Sequence, residues 1–411
     1  MLHCSISCDA PVTSLFRENQ PAFQNFAGPV FFRRETGFPR SRIPRINPVL
    51  AIDSWVMERS DIRMLWEILS NRTGGASPTA GMAAQPVSLA LQGGGAYGAY
   101  AWGVLDRLFE ERALKVAGLS GASAGAINAV VTAWGLLDGG PEGARAALNR
   151  LWTSLGQMSL LSPLGLPGAS LQFDLMTRVL SPYQFNPFNI NPLRDLLLGM
   201  IDFDRLRAES RMPLFIAATN VNTGELRVFR EQEISIDVLM ASSCLPLVHQ
   251  AVEIDGQAYW DGGFSANPPL LPLALETGCR SLMLVKLTAD EEPEVPTSAP
   301  EISARLKRIL VNAPLLRDLD ALSEMQRLLR RSSLLPPDLK RFRDLSLVKV
   351  AISSSFFSET GDSALDPKPE LVTRLFEAGR ADADVKAPLL FPAAAEVEAM
   401  PARRKWSGPG Q

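Results

Sequence analysis

Two glycine-rich turns, each set between a strand-like and a helix-like run, limit what this chain can fold into more than anything else in it. Val87 to Gln92 is a continuous apolar run that enters Gly93-Gly94-Gly95-Ala96-Tyr97-Gly98. Beyond it, Ala99 to Arg112 carries Trp102, Leu105, Leu108 and Phe109 at helical spacing. Lys115 to Ala117 then leads into Gly118-Leu119-Ser120-Gly121-Ala122-Ser123-Ala124-Gly125, and Ala126 to Leu137 is again helix-like. A strand without polar alternation belongs to a sheet buried on both faces, and this β-α-β-α order is that of a parallel sheet. The expected fold class is α/β.

The rest of the chain supplies further elements around that start. Residues 141 to 155 read as a helix, Pro213 to Asn220 and Glu225 to Arg230 as a hairpin, and Ile236 to Ser243 as a short helix. Ala251 to Ile254 and Gln257 to Trp260 flank Asp255-Gly256, a two-residue hairpin signal. Ser281 to Leu287 is an apolar strand, Thr288 to Pro300 an acidic, proline-bearing linker, and Ala304 to Arg331 a helix. Leu347 to Ser353 reads as a late strand and Pro369 to Arg380 as a final helix. Trp152 to Phe173 has no charged side chain, and its prolines and glycines predict an irregular apolar segment, either packed into the core or lying over a site. The organisation expected is a loosely attached extension over 1–85, with Met82 as an alternative start. A core over 86–290 follows, then helices and a strand completing it over 291–385, and a flexible tail over 386–411.

Composition matters mainly for what it removes. A formal net charge of -3 argues against a nucleic-acid partner. Cys4, Cys8, Cys244 and Cys279 lack paired metal-ligand spacing, and Cys244 and Cys279 read as small core residues, which fits a reducing compartment. Val116 to Leu137 is uncharged, but its glycines, serines and Asn128 read as a buried turn and helix and not as a membrane span. Met1 to Pro11 has neither a basic region nor a sustained apolar run, so a leader for general export is not expected and a cytoplasmic location is.

Gly121-Ala122-Ser123-Ala124-Gly125 is a G-x-S-x-G pattern at a strand-to-helix turn, which would push a serine hydroxyl clear of the sheet. Ser123 is therefore the candidate nucleophile. The chain has only two histidines, and His3 lies in the N-terminal extension, so His249 alone is available for a triad. The order Ser, His, Asp differs from that of the α/β-hydrolases, and Asp261 acting directly on Ser123 is the better reading. Asp261-Gly262-Gly263 is also good turn chemistry by itself. Gly93, Gly94 and Gly95 suit either a nucleotide phosphate or the oxyanion of a tetrahedral intermediate, with Ala124 N–H as a further donor. The loop matches neither the full dinucleotide fingerprint nor a Lys-bearing P-loop, which favours the oxyanion.

Taken together and in order, Gly93-Gly94-Gly95-Ala96-Tyr97-Gly98, Gly121-Ala122-Ser123-Ala124-Gly125 and Asp261-Gly262-Gly263 resemble the patatin-like phospholipases. The resemblance spans about residues 86 to 290 and, more weakly, the helices through about 380. It implies a three-layer α/β/α fold with a mostly parallel central sheet and hydrolysis of lipid acyl esters, phospholipids among them, with neither metal nor cofactor. It further implies Ser123 as nucleophile, Asp261 as base, and Gly93, Gly94 and Gly95 as oxyanion donors. Tyr97 departs from the pattern, standing where the family usually has Arg or Lys. The other functional class to be weighed is a non-catalytic lipid- or nucleotide-binding protein on the same fold. Arg327, Arg330, Arg331, Lys340, Arg341 and Arg343 form a basic cluster that reads either as a solvated helix face or as a peripheral membrane contact.

Overall fold

The computed structural model describes residues 86–390 apart from 112–113, 162–175, 178, 293, 355 and 357–365. The expectations for the N-terminal extension, for 162–173 and for 391–411 lie outside the described residues. Eight strands form one sheet: β1 (Pro86–Leu91), β2 (Lys115–Gly121), β3 (Leu214–Asn220), β4 (Leu226–Arg230), β5 (Val252–Ile254), β6 (Gln257–Asp261), β7 (Ser281–Lys286) and β8 (Ser346–Ala351). The order is β5-β6-β3-β2-β1-β7-β8, with β4 paired to β3. Pairs β3/β2, β2/β1, β1/β7 and β7/β8 are parallel, whereas β3/β4, β3/β6 and β5/β6 are antiparallel.

The apolar strands are buried on both faces, as their lack of alternation requires. Leu89, Leu91, Met283 and Val285 point into one core, shared with α1 (Gly98–Phe109), α2 (Ala124–Leu161) and the last helix. Ala90, Leu282 and Leu284, one residue out of phase, point into a second core. There they meet α7 (Leu270–Glu276), α8 (Ala299–Leu329) and α9 (Pro337–Arg343) through Leu270, Leu273, Leu315, Leu322 and Phe342. Helices on both faces of a mostly parallel sheet make the fold α/β/α. Between α2 and β3 lie α3 (Pro182–Phe185), α4 (Pro192–Leu198) and α5 (Phe203–Glu209), and α6 (Ile236–Ser242) follows β4.

Three boundaries differ from the sequence expectation. Helical structure in α2 runs on through Trp152 to Leu161, so the first part of the segment expected to be irregular is helix. No proline falls between Trp152 and Leu161, and Trp152 is anchored in the core. The break comes earlier, at Gly139 and Gly140, whose backbone leaves the helical region ahead of Pro141. α8 begins at Ala299, ahead of Ala304, because Ser298 and Glu301 form a reciprocal capping box with Pro300 in the first turn. α10 (Pro369–Leu390) outruns Arg380. It is fastened to α1 by Tyr100 Oη donating to Asp382 at 2.7 Å, by Trp102 against Phe376, and by Arg380 pairing with Asp106.

Candidate active site

The site assembles where β1, β2 and β6 end. Ser123 follows β2 with φ of 54°, a left-handed conformation that is costly for a residue other than glycine and is held here by its surroundings. Its N–H donates to both the carbonyl (3.1 Å) and the hydroxyl (3.0 Å) of Ser242, at the end of α6. The turn also demands close approach of backbones. A Cβ on Gly125 would lie 2.0 Å from the Leu91 carbonyl oxygen, so no other residue fits where α2 passes β1. Ser123 thus stands at the N-terminus of a long helix, where first-turn N–H groups such as that of Ala124 have no intrahelical partner.

Asp261 arrives from the opposite direction, as the last residue of antiparallel β6. Opposite Ala218 in β3, it gives its N–H to the Cys244 carbonyl at 2.8 Å, while its own carbonyl accepts from Thr219 Oγ1 at 2.8 Å. The residue is only 4% exposed. Oδ1 accepts the Gly263 N–H at 2.7 Å, and the Ser123 side chain lies near enough to the carboxylate to favour its charged form. Burial pushes the carboxyl up to about 6, against the opposing pull of the Gly263 N–H bond and the nearby Ser123 side chain. The turn and the candidate base are therefore one residue performing both tasks.

The glycine loop lies against the serine. A Cβ on Gly93 would fall 2.5 Å from the Ala122 carbonyl oxygen and 2.8 Å from Ser123 Cβ, so glycine is required for the loop to approach the elbow. The structure corrects one expectation about this loop. Gly93 N–H is not free to receive an oxyanion, because it donates to Asn267 Oδ1 at 2.6 Å. Gly94 N–H, Gly95 N–H and Ala124 N–H make no hydrogen bond among the described residues. Gln92, wholly buried, accepts the Leu287 N–H at 2.6 Å and reaches Asn312 on α8 at 3.3 Å.

Of the remaining candidates, His249 stays apart from this group. It lines a polar cleft of about 290 Å³ with Asn191, Arg194, Asp237 and Glu253, and neither Ser123 nor Asp261 lines that cleft. Its Nδ1 is buried without a hydrogen-bond partner, and burial pushes its pKa down. Burial also pushes the Cys244 thiol up to about 12, with Asp261 adding to the shift, which disfavours a thiolate. Cys279 is likewise a buried free thiol. In the basic cluster Arg327, Arg341 and Arg343 pair with Glu324, Asp338 and Asp344, the pattern of a solvated face. Tyr97, in the turn before α1, packs partly buried against the core. Among the described residues no cluster of three or more His, Cys, Asp or Glu is placed to hold a metal ion, and no helix is long and apolar enough to cross a membrane.

Sequence reasoning missed the residues that hold the others in place. Asn267, wholly buried, touches the glycine loop, and Ser242 touches the elbow. Asn128, also wholly buried, donates to the Gly98 carbonyl at 3.0 Å and accepts from Trp152 Nε1 at 2.9 Å, tying α2 to the start of α1. An asparagine in the apolar run 126–137 was the one local signal available, since a buried amide demands partners.

Comparison with known proteins agrees with the motifs. Residues 89–274 match the family model described as patatin-like phospholipase. A search of solved structures finds, among others, the crystal structure of VipD from Legionella pneumophila, at 17% identity and a TM-score of 0.36 over 75% of this chain and 67% of that one. No curated protein matches this chain significantly.

Proposed function

With residues 89–274 carrying a patatin-like phospholipase domain as the premise, we propose that this protein is a serine hydrolase of lipid acyl esters, working through a Ser123–Asp261 dyad and an acyl-enzyme. The observation that carries the reading is the juxtaposition of the Ser123 side chain with a buried Asp261 whose carboxyl is raised to about 6. In the first step Ser123 Oγ attacks the ester carbonyl carbon and its proton passes to Asp261. The carbonyl oxygen takes the negative charge and is met by the N–H groups of Gly94, Gly95 and Ala124, with the N-terminus of α2 adding its positive end. Collapse expels the alcohol, which leaves with the proton from Asp261. Water then gives a proton to Asp261 as it attacks the acyl carbon, and the second collapse releases the fatty acid and returns the proton to Ser123 Oγ.

Three amide donors from two separate strand-to-helix turns are a sufficient hole, since one such donor is worth roughly a hundredfold to a thousandfold in kcat. Tyr97 leaves the hole without an adjacent fixed cation, so its strength rests on backbone dipoles, and neutral as well as anionic esters suit it. The test is labelling of the full chain with a fluorophosphonate probe, read by mass spectrometry, alongside hydrolysis of phospholipid and p-nitrophenyl ester substrates. Adduct on Ser123 with ester hydrolysis that Ser123→Ala abolishes is the expected result. Lipid binding without label or turnover would instead mark a non-catalytic binding protein.

A further inference from the structure

We infer that Asn267 is a positioning residue for the oxyanion loop, aiming the Gly93–Gly94 peptide so that Gly94 N–H faces the reacting carbonyl; this rests on the acyl-hydrolase reading above. Asn267 lies beyond the short turn that follows Asp261 and is wholly buried. Its side chain grips a single stretch of backbone from both sides: Oδ1 accepts Gly93 N–H at 2.6 Å, and Nδ2 donates to Gly93 O at 3.4 Å. The second Nδ2 hydrogen is directed to the Val311 carbonyl of α8 at 3.2 Å, which fixes the plane of the amide.

The consequence follows from peptide geometry. Gly93 C=O and Gly94 N–H belong to one planar, trans peptide, so they point in opposite directions. A donor that holds Gly93 O toward Asn267 therefore turns Gly94 N–H away from Asn267. The elbow lies close by, since a Cβ on Gly93 would come within 2.8 Å of Ser123 Cβ. Donation to the carbonyl also polarises the same peptide, which strengthens its N–H as a donor. This grip acts directly on the peptide that carries the donor. Gly94 and Gly95 have no side chains, Gly95 sits at φ of 58°, and the internal bond of the turn runs from Tyr97 N–H to Gly94 O at 3.3 Å. An aspartate of the same shape would keep the bond from Gly93 N–H, but as a carboxylate it would repel Gly93 O and the Val311 carbonyl, and it would place a negative charge behind the hole.

The test compares Asn267→Asp, nearly isosteric, and Asn267→Ala with the wild-type full chain. Four quantities are read: kcat and KM for p-nitrophenyl butyrate, Ki for an alkyl trifluoromethyl ketone, which forms a tetrahedral adduct, and Ki for p-nitrophenyl butyl ether, which has no carbonyl. Both variants should lose about tenfold to hundredfold in kcat, with KM and the ether Ki within about threefold, and the ketone Ki should rise by the same factor as kcat falls. A kcat for Asn267→Asp within twofold of wild type overturns the inference. So does a parallel shift of KM and ether Ki, which is what a merely structural amide would give. A wild-type protein that neither hydrolyses ester nor takes label at Ser123 overturns the acyl-hydrolase reading itself, and is distinguished from the other outcomes before any variant is made.

Discussion

Asp261 carries a thermodynamic cost that a single substitution should reveal. Its carboxyl titrates near 6 in the folded chain against an ordinary value of 3.8, with burial the leading cause. A difference of about 2.2 units at 1.36 kcal/mol per unit corresponds to about 3 kcal/mol. The folded state holds this proton more tightly than the unfolded state, so between pH 3.8 and about 6 it binds more protons and stability falls as pH rises. Above about 6 the whole penalty is present. Asn at 261 retains an oxygen for the Gly263 N–H and removes the charge, so Asp261→Asn should be more stable than wild type by up to about 3 kcal/mol at pH 8, and by roughly half that at pH 5. Urea unfolding of both proteins at the two pH values measures the difference. The variant should have lost its ester hydrolysis, while the wild-type kcat/KM should climb about tenfold per pH unit to a plateau just above 6. An Asp261→Asn protein no more stable at pH 8, or a gain independent of pH, would refute the claim that burial raises this carboxyl.

Two further substitutions separate roles that proximity alone confuses. His249→Ala should leave kcat within about twofold, because His249 lines a different cleft and its Nδ1 has no partner; a hundredfold loss in a folded variant would restore a triad. Asn128→Ala leaves the Gly98 carbonyl and Trp152 Nε1 unpaired in the core, and should cost about 2–4 kcal/mol in urea unfolding, with a loss under 1 kcal/mol showing that water or repacking satisfies both.

How far the sequence could be read depended on the range over which each residue acts. The elbow and the glycine loop are local devices, dictated by backbone conformations within a few residues, and both stand where the spacing placed them. The Asp255-Gly256 hairpin is the same case: its two residues have φ of 51° and 73°, the left-handed pair that a tight hairpin needs. Gly93 shows the limit. Nothing near it in sequence reveals that its N–H is already engaged, because the acceptor is Asn267, 174 positions away. Neither Asn267, in its Asn-Pro-Pro stretch, nor Ser242, at the end of a short helix, is flagged by a local motif; only the tertiary fold gives them partners. The histidine count pointed away from a triad without any structure, because scarcity, unlike contact, is visible in a list of residues.

A carboxylate can do the work of an imidazole at this serine only if its basicity is set between two failures. At its ordinary value of 3.8 Asp261 would be a weak proton acceptor, more than two units below a histidine near 6.5. Burial favours the neutral acid, and an acid protonated at neutral pH accepts nothing. The Gly263 N–H bond and the nearby Ser123 side chain, which favour the charged form, oppose burial, and the carboxyl titrates at about 6. In the proposed dyad the nucleophile would therefore help to tune its own base. Ser123→Ala removes one of the two groups that favour the charged form, and Asp261 in that variant should titrate above about 6, an upward displacement that carbon-13 NMR of the labelled aspartate carboxyl would read directly. An unchanged or lowered midpoint would mean that Ser123 does not bond the carboxylate, and the dyad would lose its physical basis.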